Sequence, residues 1–213
     1  MRWDSVTVFP DCPSPRGVPM STAAAAPART GQVLADLLPA SRVRDVALVL
    51  GGAALTGIAA QIAVPVPGSP VPVTGQTFAA LLVGTSLGAG RGLLSLVLYA
   101  VAGVAGVPWF AQGGSGAGAP SFGYVLGMLL AATVVGALAR RGADRGVWRT
   151  AGTMILGEAV IYAVGVPYLA LSTGMSASAA IAAGLTPFLI GDALKAALAM
   201  GALPTAWKLA GKR

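Results

Sequence analysis

The sequence has no histidine, a single cysteine and three lysines, and charged residues make up only 10% of its 213 positions. Without histidine there is no imidazole for acid–base catalysis, no His-ligated haem and no His/Cys zinc site. The lone cysteine, Cys12, cannot close an internal disulfide and reads as an incidental thiol. None of Lys195, Lys208 and Lys212 completes a GxxxxGK[ST] loop, so the chain has no Walker A site of its own. A soluble domain carries about 25% charged residues. This chain has too little polar material to coat a water-facing globule. With 55% hydrophobic residues and a mean hydropathy of +0.77, its natural solvent is lipid.

What is there falls into a tail and six apolar segments. Residues 1–41 mix prolines with an alanine run and scattered charges, contain no signal-peptide core, and read as a disordered, cytoplasmic amino-terminal tail. Met1 and Met20 both stand as candidate starts. A membrane domain over 42–207 and a basic cytoplasmic tail over 208–213 complete the expected division. The apolar segments are 43–64, 75–88, a run from Gly92 through Val107, 122–139, 150–172 and 180–204. The first is long enough to cross about 30 Å of hydrocarbon; the second reaches only about 20 Å. If Arg91, between the second and third, is cytoplasmic, both cross. If it is buried in a re-entrant loop, they do not.

Arg42, Arg44, Arg91, the four arginines of 140–149, and Lys208, Lys212 and Arg213 all fall on one side of this alternation. The loops 65–74, 108–121 and 173–179 hold no Lys or Arg. The positive-inside rule then puts both termini inside. The net charge of +7 is thereby a statement about membrane topology, not about nucleic acid.

Glu158, Asp192 and Lys195 break the apolar rule. A charge at the bilayer centre costs about 2.5–3.5 kcal/mol on insertion scales. Asp192 and Lys195 are three apart and share a helix face; Glu158 is placed to approach Lys195 from the neighbouring helix. Two readings stand: an ion pair that pins the last two helices, or a ligand site, the default for intramembrane ionisable groups. Two uncharged loops face the same side. One is the proline-rich run Pro65–Thr74, expected to be stiff and extended across a pocket. The other offers Trp109, Phe110, Gln112, Phe122 and Tyr124 among glycines. Those rings suit stacking on a ring-shaped ligand or a place in the interfacial aromatic belt. Small residues four apart (Ala47/Gly51, Ala53/Gly57, Gly84/Gly88, Gly123/Gly127) predict close helix packing, with a docking face on the first helix as a second use.

Enzyme readings fail on chemistry. Gly113-Gly114-Ser115-Gly116 matches the GxSG of intramembrane serine proteases, but there is no histidine base. An acid dyad of Glu158 and Asp192 would have Lys195 beside it, holding both ionised. A self-contained secondary transporter or channel for a small organic anion remains as the rival class.

Four stretches, in order, carry a resemblance: PVPVTGQTFAALLVGTSLG, GLLSLVLYAVAGVAGVPWFAQGG, PSFGYVLG and GDALKAALA. Together they resemble the BioY family, the biotin-binding S component of energy-coupling factor (ECF) vitamin transporters, over residues 43–204. The resemblance implies an all-α membrane protein with six transmembrane helices of the ECF S-component type, both termini cytoplasmic, in the plasma membrane of a prokaryote. It implies biotin as ligand, captured from the outer side, with no cofactor. The implied partners are a transmembrane coupling protein of the EcfT type and a pair of cytoplasmic ABC ATPases. The family's intramembrane Asp-x-x-Lys falls on Asp192 and Lys195, which would meet the ureido N–H and the carboxylate. The family's polar amide falls on Gln112. Tyr124 and Trp109 are implied pocket walls, with Gln76 and Thr74 from the closing loop.

Overall fold

The computed structural model describes residues 31–210; the calls on Cys12, Met20, Lys212 and Arg213 lie outside them. Seven α-helices follow in order: α1 (Arg42–Ala60), α2 (Gln76–Leu87), α3 (Ala89–Val104), α4 (Phe122–Arg140), α5 (Val147–Thr173), α6 (Ala177–Gly184) and α7 (Leu189–Ala210). Each of the six expected apolar segments is helical over most of its length. Helices α1, α4, α5 and the stretch Ala177–Ala210 are long and apolar enough to cross a membrane, whereas α2 and α3 are shorter apolar helices.

The sixth segment differs from expectation. The expected single span over 180–204 divides into α6 and α7 around a 3-10 turn at Thr186–Phe188. Pro187 supplies the cause. It has no N–H to continue the ladder and disfavours helical backbone at the residue before it. The Phe188 N–H turns back to the Leu185 carbonyl at 3.0 Å, leaving the Gly184 carbonyl free of its usual partner.

Helix contacts are close where side chains are absent. A Cβ on Gly84 of α2 would lie 2.6 Å from the Ala132 carbonyl oxygen of α4, and one on Gly127 of α4 would lie 2.7 Å from the Ile161 carbonyl oxygen of α5. These approaches centre the core on α4, whose Met128, Ala131, Ala132 and Val135 are fully buried. Gly51 of α1 meets nothing within 4 Å, and Val43, Val46, Leu50 and Ile58 on that helix are exposed.

The basic residues gather at one end of the bundle. Arg91, at the start of α3, pairs with Asp36 at 2.8 Å and with Asp45 of α1 at 3.1 Å; Arg140, at the end of α4, reaches Asp36 at 3.7 Å. Arg91 is therefore level with the first turn of α1, and α2 and α3 run as an antiparallel pair toward and away from that end. Burial alone would raise the Asp36 carboxyl. The Arg91 hydrogen bond, the Val33 N–H and the charges of Arg91 and Arg140 outweigh it and hold the group below its ordinary range. The same contacts show residues 32–36 packed against this end, whereas 37–41 are exposed. Val33 is fully buried, and Gly31 N–H donates to the Arg140 carbonyl at 2.9 Å.

Candidate functional site

At the opposite end, the proline-rich run folds back on itself. Two short strands, β1 (Ala63–Val64) and β2 (Val73–Thr74), pair antiparallel as Ala63↔Thr74 and Val64↔Val73. The expected extended strap is thus a hairpin whose second strand leads directly into α2. Thr74, Gln76 and Thr77 at this junction line a cavity together with residues of α7.

There they meet the intramembrane charges. Lys195 Nζ donates to Asp192 Oδ1 at 3.0 Å and to the Thr77 hydroxyl at 2.8 Å. The Tyr162 hydroxyl of α5 donates to Asp192 Oδ2. A small cavity is lined by Val71, Pro72, Thr74, Gln76, Thr77, Tyr124, Tyr162, Phe188, Asp192 and Lys195. Its free volume is about 20 Å³. That suffices for a water molecule and is far below the roughly 300–1,000 Å³ of a typical ligand pocket. Val71 and Pro72 of the hairpin form part of its wall, so the hairpin closes the cavity.

Five of the seven residues expected at a site therefore converge: Thr74, Gln76, Tyr124, Asp192 and Lys195. The Tyr124 hydroxyl donates to the Gly184 carbonyl at 2.8 Å, taking the acceptor freed by the helix break. Its ring stacks on Phe188 and meets Tyr162 edge-on. Gln76 is buried, and its Oε1 accepts from the Tyr99 hydroxyl at 3.0 Å.

The structure does not bring Trp109 and Gln112 into this cavity. Trp109 lies behind it: its ring packs 5.3 Å from Tyr99, its indole N–H donates to the Tyr99 carbonyl at 3.0 Å, and it faces Gly57 of α1. Phe110 and Phe122 continue this aromatic row to Tyr168. Gln112 is exposed in a tight turn closed by the Phe110–Gly114 bridge, with φ +59°. The amide that meets this loop is Gln61, whose Nε2 donates to the carbonyls of Trp109 and Phe110.

Glu158 does not pair with Lys195 among the described ion pairs; the Lys195 partner is Asp192. Glu158 instead borders a larger apolar groove of about 700 Å³ between α5 and α6–α7, shared with Tyr162 and Asp192. Sequence reading missed Tyr162 and Thr77. Their signals were present: Tyr162 is one turn beyond Glu158 on the same face, and Thr77 adjoins Gln76. No group of three or more His, Cys, Asp or Glu that would hold a metal occurs among the described residues.

Comparison with known proteins gives a consistent result. The model of the BioY family matches residues 28–212. A probable biotin transporter BioY of Pyrococcus horikoshii is 37% identical over 162 residues, covering 75% of this chain and 93% of that protein. Biotin transporter BioY2 of Lactococcus lactis is 33% identical over 161 residues, covering 74% and 87%. The fold is similar to the crystal structure of the S-component for biotin from an ECF-type ABC transporter. The TM-score is 0.72 at 20% identity, over 80% of this chain and 95% of that one.

Proposed function

The chain belongs to the BioY family of biotin transporters, and we propose that it is the membrane-embedded subunit that captures biotin at the end of the bundle remote from the basic collar. The observation that carries this reading is the convergence of Thr74, Gln76, Tyr124, Asp192 and Lys195 on one closed cavity. Biotin offers two ureido N–H donors, one ureido carbonyl and a carboxylate. Asp192 is an acceptor with lone pairs to spare beyond its Lys195 and Tyr162 bonds, suited to a ureido N–H. Lys195 supplies the only positive charge among the described residues lining the cavity, suited to the carboxylate. Gln76 offers both an acceptor and donors, and Tyr124 an aromatic wall. The hairpin over 63–74 opens to admit the ligand, because the closed cavity cannot hold it.

The collar of arginines is the cytoplasmic end, both termini lie inside, and biotin enters from outside the plasma membrane of a prokaryote. The binding domain spans residues 42–207, between tails 1–41 and 208–213. The chain has no nucleotide loop, so uptake is driven in trans by an EcfT-type coupling protein and a pair of ABC ATPases.

Equilibrium binding of radiolabelled biotin to the detergent-purified chain tests this, with thiamine and riboflavin as controls. Biotin binds without ATP, and the chain hydrolyses none. Removing one partner of a buried charged contact costs about 2–5 kcal/mol, so Asp192→Asn and Lys195→Ala each weaken biotin by roughly 30-fold or more. If a well-folded double neutral variant bound biotin at wild-type affinity, the two charges would be a helix pin and nothing more.

A further inference from the structure

Glu158 has the Thr77 hydroxyl as a hydrogen-bond partner but enters none of the described ion pairs. Its carboxyl sits near the middle of α5 and is 9% exposed, and Oε2 has no hydrogen-bond partner. Asp192 and Lys195 face it from α7, Thr77 from α2, and Tyr162 from its own helix; Tyr124 of α4 packs edge-on against Tyr162. Lys195 directs its described hydrogen bonds to Asp192 and Thr77, and Asp192 receives both the ammonium and the Tyr162 hydroxyl. The unmatched charge of the cluster therefore resides on Glu158.

Counting charges gives the consequence. The empty cluster holds two carboxylates against one ammonium. On the functional reading above, on which this inference rests, the ligand adds a third carboxylate. Three negative charges against one positive in a low-dielectric site are strongly disfavoured, and one proton removes the excess that the ligand brings. We propose that Glu158 is a proton-binding site coupled to ligand occupancy: biotin binding is accompanied by transfer of one proton from solvent to the Glu158 carboxyl, and biotin release returns it. One O–H bond forms at Glu158, and no other covalent bond changes.

Linkage fixes the sign. A ligand that favours the protonated cluster binds best where the proton is already present, and its affinity falls as pH rises beyond that point, by at most about tenfold per pH unit for one proton. The experiment is radiolabelled biotin binding to the full chain in detergent from about pH 6 to 9, with calorimetry in buffers of different ionisation heats to count protons. The expected result is net uptake approaching one proton per biotin, together with the falling affinity. A neutral biotin amide shows neither, and Glu158→Gln binds biotin with a flat pH profile and no uptake. Wild-type binding with a flat profile and no proton uptake overturns the proposal, as does uptake that survives in Glu158→Gln. Should that variant not fold, the wild-type contrast between biotin and its amide decides. Failure to bind biotin at any pH overturns the functional reading itself, and this inference with it.

Discussion

Asp144 shows how much a single residue contributes outside the spans. It is fully buried in the loop between α4 and α5, where Oδ2 accepts from the Trp207 indole N–H at 2.7 Å and Oδ1 has no partner. Burial raises its carboxyl above the ordinary range; the Trp207 hydrogen bond, its own backbone N–H and the Arg145 charge only partly offset this. A carboxyl raised in the folded state favours folding at acid pH and loses that contribution as pH climbs through its folded value. Asp144→Asn keeps an oxygen for Trp207 and removes the charge. Thermal unfolding in detergent is expected to show it more stable than wild type by about 1–2 kcal/mol at pH 8, with the difference vanishing at low pH. A variant less stable at pH 8 would mean that the charge is compensated. At this scale the candidate site was legible in part. Asp192 and Lys195 stood out because a charge in an apolar run is costly and has to be matched by a partner or a ligand. Tyr162 and Thr77 did not, because a hydroxyl in a span is common and only tertiary packing aims it at a carboxylate. Gln112 stands outside the cavity for the converse reason: its loop position offers reach, but it sits exposed in the tight turn closed by the Phe110–Gly114 bridge.

Helix boundaries followed from hydropathy and turn chemistry, and the departures have identifiable causes. The last span breaks at Pro187 because a missing N–H and a restricted preceding residue act together. The break went unpredicted because Pro167 in α5 and Pro204 in α7 sit inside continuous helices in the same chain. What separates them is the rest of the fold: Tyr124 waits beside the carbonyl that the break frees. Small-residue spacing was a better guide where it marked an interior contact. Gly127 faces backbone, not a side chain that can rotate away. Gly127→Ala is therefore expected to push α4 from α5 and destabilise the chain by about 1–3 kcal/mol, read as a lower unfolding midpoint in detergent. An unchanged midpoint would mean that the helices have slack at this crossing. Gly51, at the same four-residue spacing, meets open space, since sequence alone cannot say which face of α1 turns inward.

Across the whole molecule, charge distribution gave the architecture: arginines scattered over the sequence assemble at one end, and loops without them at the other. In a Cys12→Ser background, a cysteine at Ser115 or Ala177 should react with an impermeant thiol reagent added to intact cells, and one at Arg141 should not. Outside labelling at Arg141 would invert the orientation and the side from which ligand is taken. The Trp207–Asp144 contact joins these two ends in a further sense. Helix α7 is held near its start by Lys195 bonded to Thr77 and by Asp192 bonded to Tyr162, and near its finish by Trp207, some 22 Å away along a rise of 1.5 Å per residue. A rod pinned at two such points cannot slide along its axis. The depth of Asp192 and Lys195 is accordingly set as much by an indole anchored in the loop between α4 and α5 as by the lipid around them.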